Sequence, residues 1–327
     1  MNRLIGAATS SITATTFFST IGALWCLGIG IKWARFLGSL YLPGHNLLKR
    51  YERAGNWAVI TGGSEGIGFS MAIDLAKRGF NVVLIALDEP RLYDAAAHIR
   101  RTSPNVQAIA IPFNFLTADD AAYDELFKQL DKNPNGILVN NVGGFYNYCK
   151  PVDVAKLSED LRLLKLNIEP QVRMTKHFLP RFKELRCGGI VNLSSFSAVT
   201  PAPYLTTYAG TKAFNLAFGR SLAEEVAEFH IDVLVVTPLF VSTRITQGYE
   251  EKPMEVGDSG TVDPRVMARH TLNKLGSVDQ TCGHNFHDWI GFSHPLWAWI
   301  GRGEFLKTVK QKFVEQNALE KKAAAAA

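Results

Sequence analysis

The sequence has few cysteines and no long run of lysine and arginine, and both features exclude classes of protein. Its four cysteines lie far apart among 327 residues, and none belongs to a C-x-x-C pair. Such spacing suits neither a zinc site nor a disulfide scaffold, and it is typical of a chain that faces reducing cytosol. Because the net charge is a modest +5, nucleic acid is not expected as a partner.

Charged residues are absent from residues 4–31, and residues 17–31 are strongly apolar. A helix needs about 20 apolar residues to cross a bilayer. A cleaved signal peptide and a buried core helix are the alternatives, but no small-x-small cleavage site ends the apolar part. We therefore predict an N-terminal transmembrane anchor over residues 1–35. Most basic residues near it follow rather than precede it, so the positive-inside rule predicts that the rest of the chain faces the cytosol.

Short apolar runs alternate with helical stretches from Trp57 onward. Their hydrophobicity is continuous, which indicates strands buried on both faces of a parallel sheet. The runs are residues 57–61, 81–86, 106–111, 136–140, 189–194 and 231–236. The pattern predicts an α/β fold: a doubly wound parallel sheet of Rossmann type with helices on both faces. We expect a connector over 36–56, a single large domain over 57–305 and a polar C-terminal tail over 306–327.

The stretch TGGSEGIG, residues 61–68, joins the first predicted strand to the first helix of this sheet. Such a turn can direct backbone N–H groups at a pyrophosphate. Gly62, Gly66 and Gly68 would permit the tight turn and the close approach of a ligand. The same glycines could instead serve only to pack the strand against the helix. An acidic residue, Glu65, lies inside the turn, and a phosphate site has to accommodate its charge.

A second polar group lies further along the chain. Tyr208 and Lys212 are four residues apart and would share one face of a helix. A nearby ammonium favours phenolate, so we expect a lowered pKa for Tyr208, as a general acid or base requires. Ser195 ends a buried strand, where its hydroxyl could bond a substrate carbonyl oxygen. A tyrosine–lysine pair by itself is more often solvated helix surface.

Taken in order, TGGSEGIG, the NNVG of residues 140–143 and these polar residues resemble the short-chain dehydrogenase/reductase family over residues 57–305. The resemblance implies one Rossmann-type domain that uses NAD(H) or NADP(H). It also implies a catalytic tetrad of Asn167, Ser195, Tyr208 and Lys212. Tyr208 would exchange a proton with the substrate oxygen while hydride moves to or from the nicotinamide. Lys212 would hold the ribose hydroxyls, and Asn167 would anchor a water. None of these roles needs a metal, and no metal site is predicted.

A narrower likeness includes the N-terminal apolar segment and TPLFVSTRI at residues 237–245. These features are similar to the very-long-chain 3-oxoacyl-CoA reductases and 17β-hydroxysteroid dehydrogenases. That subgroup implies reduction of an acyl-CoA at the endoplasmic reticulum membrane, within fatty-acid elongation. Other elongation-cycle enzymes and a second copy of the chain are candidate partners. Reduction of a keto-steroid is the nearest alternative, and a cofactor-binding protein without catalysis is a third.

The end of the second predicted strand usually distinguishes the two cofactors. An acid there bonds the ribose 2′-OH of NAD, whereas an arginine pairs with the 2′-phosphate of NADP. Here Asp88 would serve the hydroxyl and Arg91 the phosphate, so the sequence departs from both patterns. The subgroup likeness favours NADP(H) over NAD(H). The full set of predicted cofactor contacts is Gly62, Ser64, Gly66, Ile67, Gly68, Asp88, Arg91, Asn114, Asn141, Gly143, Tyr208, Lys212, Val241 and Thr243.

Two later segments are assigned to the substrate side. The polar, glycine-bearing residues 242–263 are typical of a mobile lid over a site. Residues 288–301 hold three tryptophans among aliphatic residues. They are interpreted either as core packing or as an interfacial segment at the headgroup level of a bilayer.

Overall fold

The computed structural model describes residues 2–41, 43–146, 150–244, 255–257 and 260–294, with side chains from residue 16 onward. The chain divides into two compact units, one ending at Pro43 and one beginning at Gly44. Most of the predicted lid, the end of the tryptophan-rich segment and the C-terminal tail over 306–327 lie outside the described residues.

The first unit is one helix, α1, which covers Asn2–Tyr41. Its part Thr16–Tyr41 has a mean hydropathy of 1.4 and is apolar enough to cross a membrane. These 26 residues form a helix about 39 Å long at 1.5 Å per residue. The helix continues six residues past the predicted end of the anchor and stops before Pro43, which disfavours further helix.

The second unit is built on a parallel sheet of seven strands. In chain order they are β1 Trp57–Thr61, β2 Asn81–Ala86, β3 Ala108–Pro112, β4 Asn135–Asn140, β5 Gly188–Leu193, β6 Ile231–Val236 and β7 Gln280–Thr281. Their spatial order is β3-β2-β1-β4-β5-β6-β7, and every pair is parallel. The predicted doubly wound sheet is confirmed.

Six of these strands coincide with the predicted apolar runs to within two residues at each end. The seventh, β7, was missed because Gln280 and Thr281 form no apolar run. The strand order reverses between β1 and β4, and ligands of doubly wound sheets bind at the carboxyl edge of such a reversal. The predicted nicotinamide-site residues follow strands at that edge.

Helices cover both faces of the sheet. They are α2 Leu47–Arg50, α3 Gly66–Lys77, α4 Pro90–Thr102, α5 Asp120–Leu130, α6 Leu157–Leu185, α7 Thr206–Val226 and α8 Pro264–Lys274. The helix α3 packs on α4 and α8, and α6 packs on α7. The central strands β1, β4 and β5 are buried along their whole length, which explains why most of their residues are apolar.

Most of the predicted connector, residues 44–56, is part of the second unit. Leu47, Tyr51 and Ala54 are each 1% exposed and belong to its hydrophobic core. The Tyr51 hydroxyl donates to Asp232 at 2.8 Å, just inside β6. A Cβ on Gly189 of β5 would lie 2.9 Å from the Tyr51 ring, so this glycine makes room for the tyrosine. Residues 44–56 therefore pack beneath the sheet instead of forming a solvated linker.

Candidate active site

The glycine-rich turn leaves β1 at the carboxyl edge and opens α3. Gly62 and Gly66 have φ values of +64° and +59°, a region that favours glycine. The α3 helix begins at Gly66, and Glu65 at its N-cap makes no capping hydrogen bond with its side chain. The first N–H groups of α3 are therefore available to an anion, and the turn fits the pyrophosphate of a dinucleotide.

The structure also gives these glycines the packing role that the sequence left open. A Cβ on Gly68 would lie 2.3 Å from the Gly62 carbonyl oxygen and 2.4 Å from Nδ2 of Asn141. That same amide donates to the carbonyl oxygens of Thr61 at 2.9 Å and Gly62 at 3.0 Å. Asn141 thus positions the turn from the end of β4. The amide protons of its side chain are used within the protein, and its predicted contact with cofactor stays a prediction.

Three of the predicted catalytic residues follow β5 or lie on α7, the helix after it. Ser195 ends the strand region and is half-buried, and its Oγ accepts from the Ser197 hydroxyl at 3.0 Å. Tyr208 lies in the first turn of α7, where its hydroxyl interacts with Ser195. Lys212 is 6% exposed, and its Nζ donates to the Leu193 carbonyl oxygen at 3.2 Å. The Lys212 Nζ is 5.8 Å from the Tyr208 ring centroid.

Asn167 approaches the same place from α6 and makes contacts that the sequence did not predict. Its Oδ1 accepts from the Gly144 N–H at 2.7 Å, and its Nδ2 donates to Thr211 Oγ1 at 3.0 Å. A Cβ on Gly143 would meet both Asn167 Oδ1 at 3.1 Å and Lys212 Nζ at 3.3 Å. Gly143 therefore permits the approach of these two residues. The structure brings all four predicted catalytic residues together; their roles stay predictions.

The pKa of Tyr208 differs from the expectation drawn from sequence. Burial raises the pKa of Tyr208 to about 12, and the hydrogen bond with Ser195 only partly opposes the rise. Burial also lowers the pKa of Lys212 to about 8. The expected lowering of the phenol pKa by the lysine charge is not found, because removal from water disfavours the charged form of both groups.

Glu65 is neutralised by arginines at the rim of the glycine-rich turn. Its Oε2 accepts from Arg91 Nη1 at 2.8 Å, and its Oε1 lies 3.6 Å from Arg244 Nε. Arg91 also bonds Glu89. This arrangement explains how the turn tolerates a carboxylate: its charge is paired instead of facing a phosphate. Arg244 was missed because nothing in the sequence links residue 244 to residue 65.

Asp88 and Arg91 are the two residues that the sequence put in competition for the adenosine ribose. Asp88 Oδ1 accepts from the Tyr93 hydroxyl at 2.7 Å. Arg91 is 38% exposed and keeps donors beyond those bonded to the two glutamates. Both residues follow β2, which is the neighbour of β1 in the sheet, and the glycine-rich turn follows β1 at the same carboxyl edge. The geometry places a carboxylate and a guanidinium at one rim.

The other predicted cofactor contacts are distributed along the carboxyl edge. Asn114 follows β3, and its Oδ1 accepts from the Leu116 N–H at 3.0 Å. Val241 is 2% exposed and forms a bridge with Val262. Thr243 lies beside the glycine-rich turn, since a Cβ on Gly66 would be 3.3 Å from its methyl group. Ser64 and Ile67 are half-buried in the turn itself.

Residues 56–254 match the short chain dehydrogenase family. The chain belongs to this family. Among curated relatives, the very-long-chain 3-oxoacyl-CoA reductase of Laccaria bicolor is 32% identical over 265 residues, which cover 80% of this chain and 75% of the relative. The enzyme of that name from Mycosarcoma maydis is 32% identical over 288 residues, covering 85% and 80%.

A solved member of the short chain dehydrogenase family is also similar. The short-chain dehydrogenase from Sphingobium yanoikuyae in complex with NADPH matches with a TM-score of 0.58 and 28% identity, over 65% of this chain and 81% of that one. The present chain is thus a nicotinamide-dependent short-chain oxidoreductase. When bound, the nicotinamide cofactor supplies or accepts hydride.

Proposed function

We propose that this chain is a membrane-anchored reductase that converts a long-chain 3-oxoacyl-CoA to the 3-hydroxyacyl-CoA with NADPH. The observation that carries this proposal is the assembled tetrad in a chain whose curated relatives bear the name very-long-chain 3-oxoacyl-CoA reductase. The apolar helix Thr16–Tyr41 supports attachment to a membrane, where a lipidic substrate partitions.

The tetrad residues have distinct roles in this proposal. The Ser195 hydroxyl donates a hydrogen bond to the ketone oxygen and stabilises the negative charge that develops as hydride reaches the carbonyl carbon. The Tyr208 hydroxyl then gives its proton to that oxygen, which completes the alcohol and leaves a phenolate. The Lys212 ammonium stabilises the phenolate. Asn167 holds the loop after β4 and the start of α7 through Gly144 and Thr211, and so keeps Lys212 in position.

We assign NADPH as the preferred cofactor through Arg91. Its guanidinium lies at the rim where the adenosine ribose of a dinucleotide would end, and it retains free donors for a phosphate. NADPH in the Sphingobium yanoikuyae complex supports this assignment. The pairing of Glu65 with Arg91 and Arg244 removes most of the repulsion that its charge would exert.

For location, we propose the endoplasmic reticulum membrane with the second unit in the cytosol. The basic residues that follow the apolar segment support this orientation. We keep 57–305 as the proposed limits of the catalytic domain, and the compact unit that begins at Gly44 supports including residues 44–56 with it.

The decisive test is NADPH oxidation by the detergent-purified full chain, offered a long-chain 3-oxoacyl-CoA and, separately, a 17-keto steroid. We expect turnover of the acyl-CoA at the higher kcat/KM. Turnover of the steroid alone would refute the acyl-CoA assignment and leave the oxidoreductase chemistry standing. A Tyr208→Phe variant is assayed in parallel, and its rate should fall to background. Any rate that remains in this variant would come from a contaminating enzyme.

A further inference from the structure

A pocket of about 510 Å³ opens at the edge of the sheet opposite to the candidate active site. Its lining includes Asn56, Gly79 and Pro134, which directly precede or approach β1, β2 and β4. The catalytic and glycine-turn residues follow the carboxyl ends of strands instead. Since a five-residue strand such as β1 is about 17 Å long, this pocket and the nicotinamide site are separate.

The pocket is lined by three cations and one carboxylate. The cations are Lys49, Arg53 and Arg181, and the acid is Glu52; all four side chains are exposed. Within the part of the chain that the structure describes, none of the three cations forms an ion pair. The neighbouring arginines differ, since Arg50 pairs with Asp232 and Arg78 with Asp74, each at 2.6 Å.

These cations suit an anionic ligand with several oxygen acceptors. Arginine and lysine together are the usual partners of phosphate, the first as a two-donor fork and the second as a point charge. The segment that carries Lys49 and Arg53 is attached to the core, because Leu47, Tyr51 and Ala54 bury their side chains there. A phosphate in this pocket would face positive charge from three side chains.

The position of the pocket in the chain indicates where the phosphate comes from. Asn46 begins the lining and follows Tyr41, the last residue of α1, by five residues. Five residues reach at most about 17 Å when extended. If α1 is anchored in a bilayer, the phosphates of the headgroup layer are within reach of this chain segment, and anionic lipids attract basic residues that adjoin a membrane span.

We propose that this pocket binds the phosphate of an anionic phospholipid headgroup. The inference rests on the proposed membrane anchor and is independent of the substrate and of the catalytic roles. A soluble phosphate compound would offer the same chemistry, so the experiment has to separate the two sources.

The test measures labelling of Lys49 by an amine-reactive reagent in the full-length chain, read by mass spectrometry. The chain is placed in vesicles of phosphatidylcholine alone or of phosphatidylcholine with phosphatidic acid. We expect labelling of Lys49 to slow at least about threefold with phosphatidic acid, because the bound phosphate engages the amine. Lys128 on α5 is 75% exposed and serves as the internal reference.

Two double variants show whether the pocket itself is responsible. Arg53→Ala with Arg181→Ala should abolish the protection of Lys49. Arg101→Ala with Arg220→Ala removes equal charge from exposed positions elsewhere and should leave the protection intact. Retained NADPH binding confirms that each variant is folded.

Each other outcome overturns the proposal in a distinct way. Equal protection by inorganic phosphate in detergent would assign the pocket to a soluble anion. Protection that survives in the Arg53/Arg181 variant would reflect general attraction to the surface, and no protection in vesicle-bound protein would mean that no headgroup binds. A chain that fails to float with either vesicle would refute the anchor and with it the headgroup contact, while NADPH oxidation would still report on the enzyme.

Discussion

Tyr208 and Lys212 are adjacent acid–base groups whose pKa values are both shifted by removal from water. The pKa of the Tyr208 phenol is raised to about 12, which keeps it neutral, and the pKa of the Lys212 ammonium is lowered to about 8. A neutral phenol is the form that donates a proton to a reduced carbonyl, so the arrangement suits reduction. The lysine charge, present below its pKa, is what stabilises the phenolate left behind.

Tyr208→Phe is expected to lower kcat by about 10²–10⁴-fold, the contribution of a positioned general acid. NADPH binding, followed by cofactor fluorescence, should be nearly unchanged because the ring remains. Tyr123→Phe is the matched control: among the described residues, the buried Tyr123 hydroxyl has no hydrogen-bond partner, and its loss should leave turnover intact. Full activity in Tyr208→Phe would show that another group donates the proton.

The pH dependence of the reduction should follow the titration of Lys212. Burial depresses its pKa to about 8, so the charge is present below that pH and is lost above it. We expect kcat/KM to be level below about pH 8 and to fall about tenfold per pH unit above it. Tyr208 cannot cause this fall, because its pKa of about 12 keeps it protonated. A decline that persists unchanged in Lys212→Arg, whose charge does not titrate there, would contradict the assignment.

Arg91 should decide between the two cofactors. Arg91→Ala is expected to reduce kcat/KM for NADPH by about 10–100-fold, since a charged hydrogen bond contributes about 1.5–3 kcal/mol. The value for NADH should change little, because NAD lacks the 2′-phosphate. Glu65→Gln removes a negative charge beside Arg91 and should raise the ratio of NADPH to NADH efficiency. Equal losses with both cofactors would mean that Arg91 only shapes the turn.

At the scale of elements, the turn between β1 and α3 is held by close backbone contact and by the side-chain amide of Asn141. Gly68 lies against the Gly62 carbonyl and the Asn141 amide, which joins the end of β4 to the end of β1. The turn and β4 therefore act as one support for a pyrophosphate. The burial of Tyr51 under β5 and β6 similarly joins the segment before β1 to the sheet.

Gly68→Ala should weaken cofactor binding, and the variant should unfold at a lower urea concentration. The added Cβ would lie 2.3 Å from a carbonyl oxygen, and overpacking of this kind costs about 1–3 kcal/mol. Gly210→Ala on α7 is the control, because Gly210 is exposed and no other described part of the chain lies within 4 Å of its Cβ position. Urea unfolding and NADPH titration of both variants check the prediction. Equal stability of the two variants would show that the turn relaxes freely.

At the scale of the whole molecule, an apolar helix precedes an enzyme unit that begins at Gly44. We expect the full chain to stay with membranes after alkaline carbonate washing, because α1 is long enough to span the hydrocarbon core. Protease added to sealed microsomes should digest the second unit if it faces the cytosol. Release of the chain by carbonate would refute the anchor, and full protection from protease would reverse the proposed orientation.

Much of the fold could be predicted from the sequence because its signals are local. Strands buried on both faces are mostly apolar, and β1, β2 and β6 were therefore located to the residue. The short β7 carries polar residues and is defined only by pairing with β6, so no local pattern could predict it. Residues 44–56 look like a linker until the space left by Gly189 is known.

The candidate site was likewise predictable from the sequence only in part. The order of the glycine-rich turn, Ser195, Tyr208 and Lys212 along the chain was sufficient to predict the family and the chemistry, since residue types and helical spacing are written in the sequence. Only the tertiary structure brought Arg91 and Arg244 to Glu65, and Thr211 and Gly144 to Asn167. It also decided the pKa values, because desolvation depends on how many atoms surround a group, and that number is set by packing between distant segments.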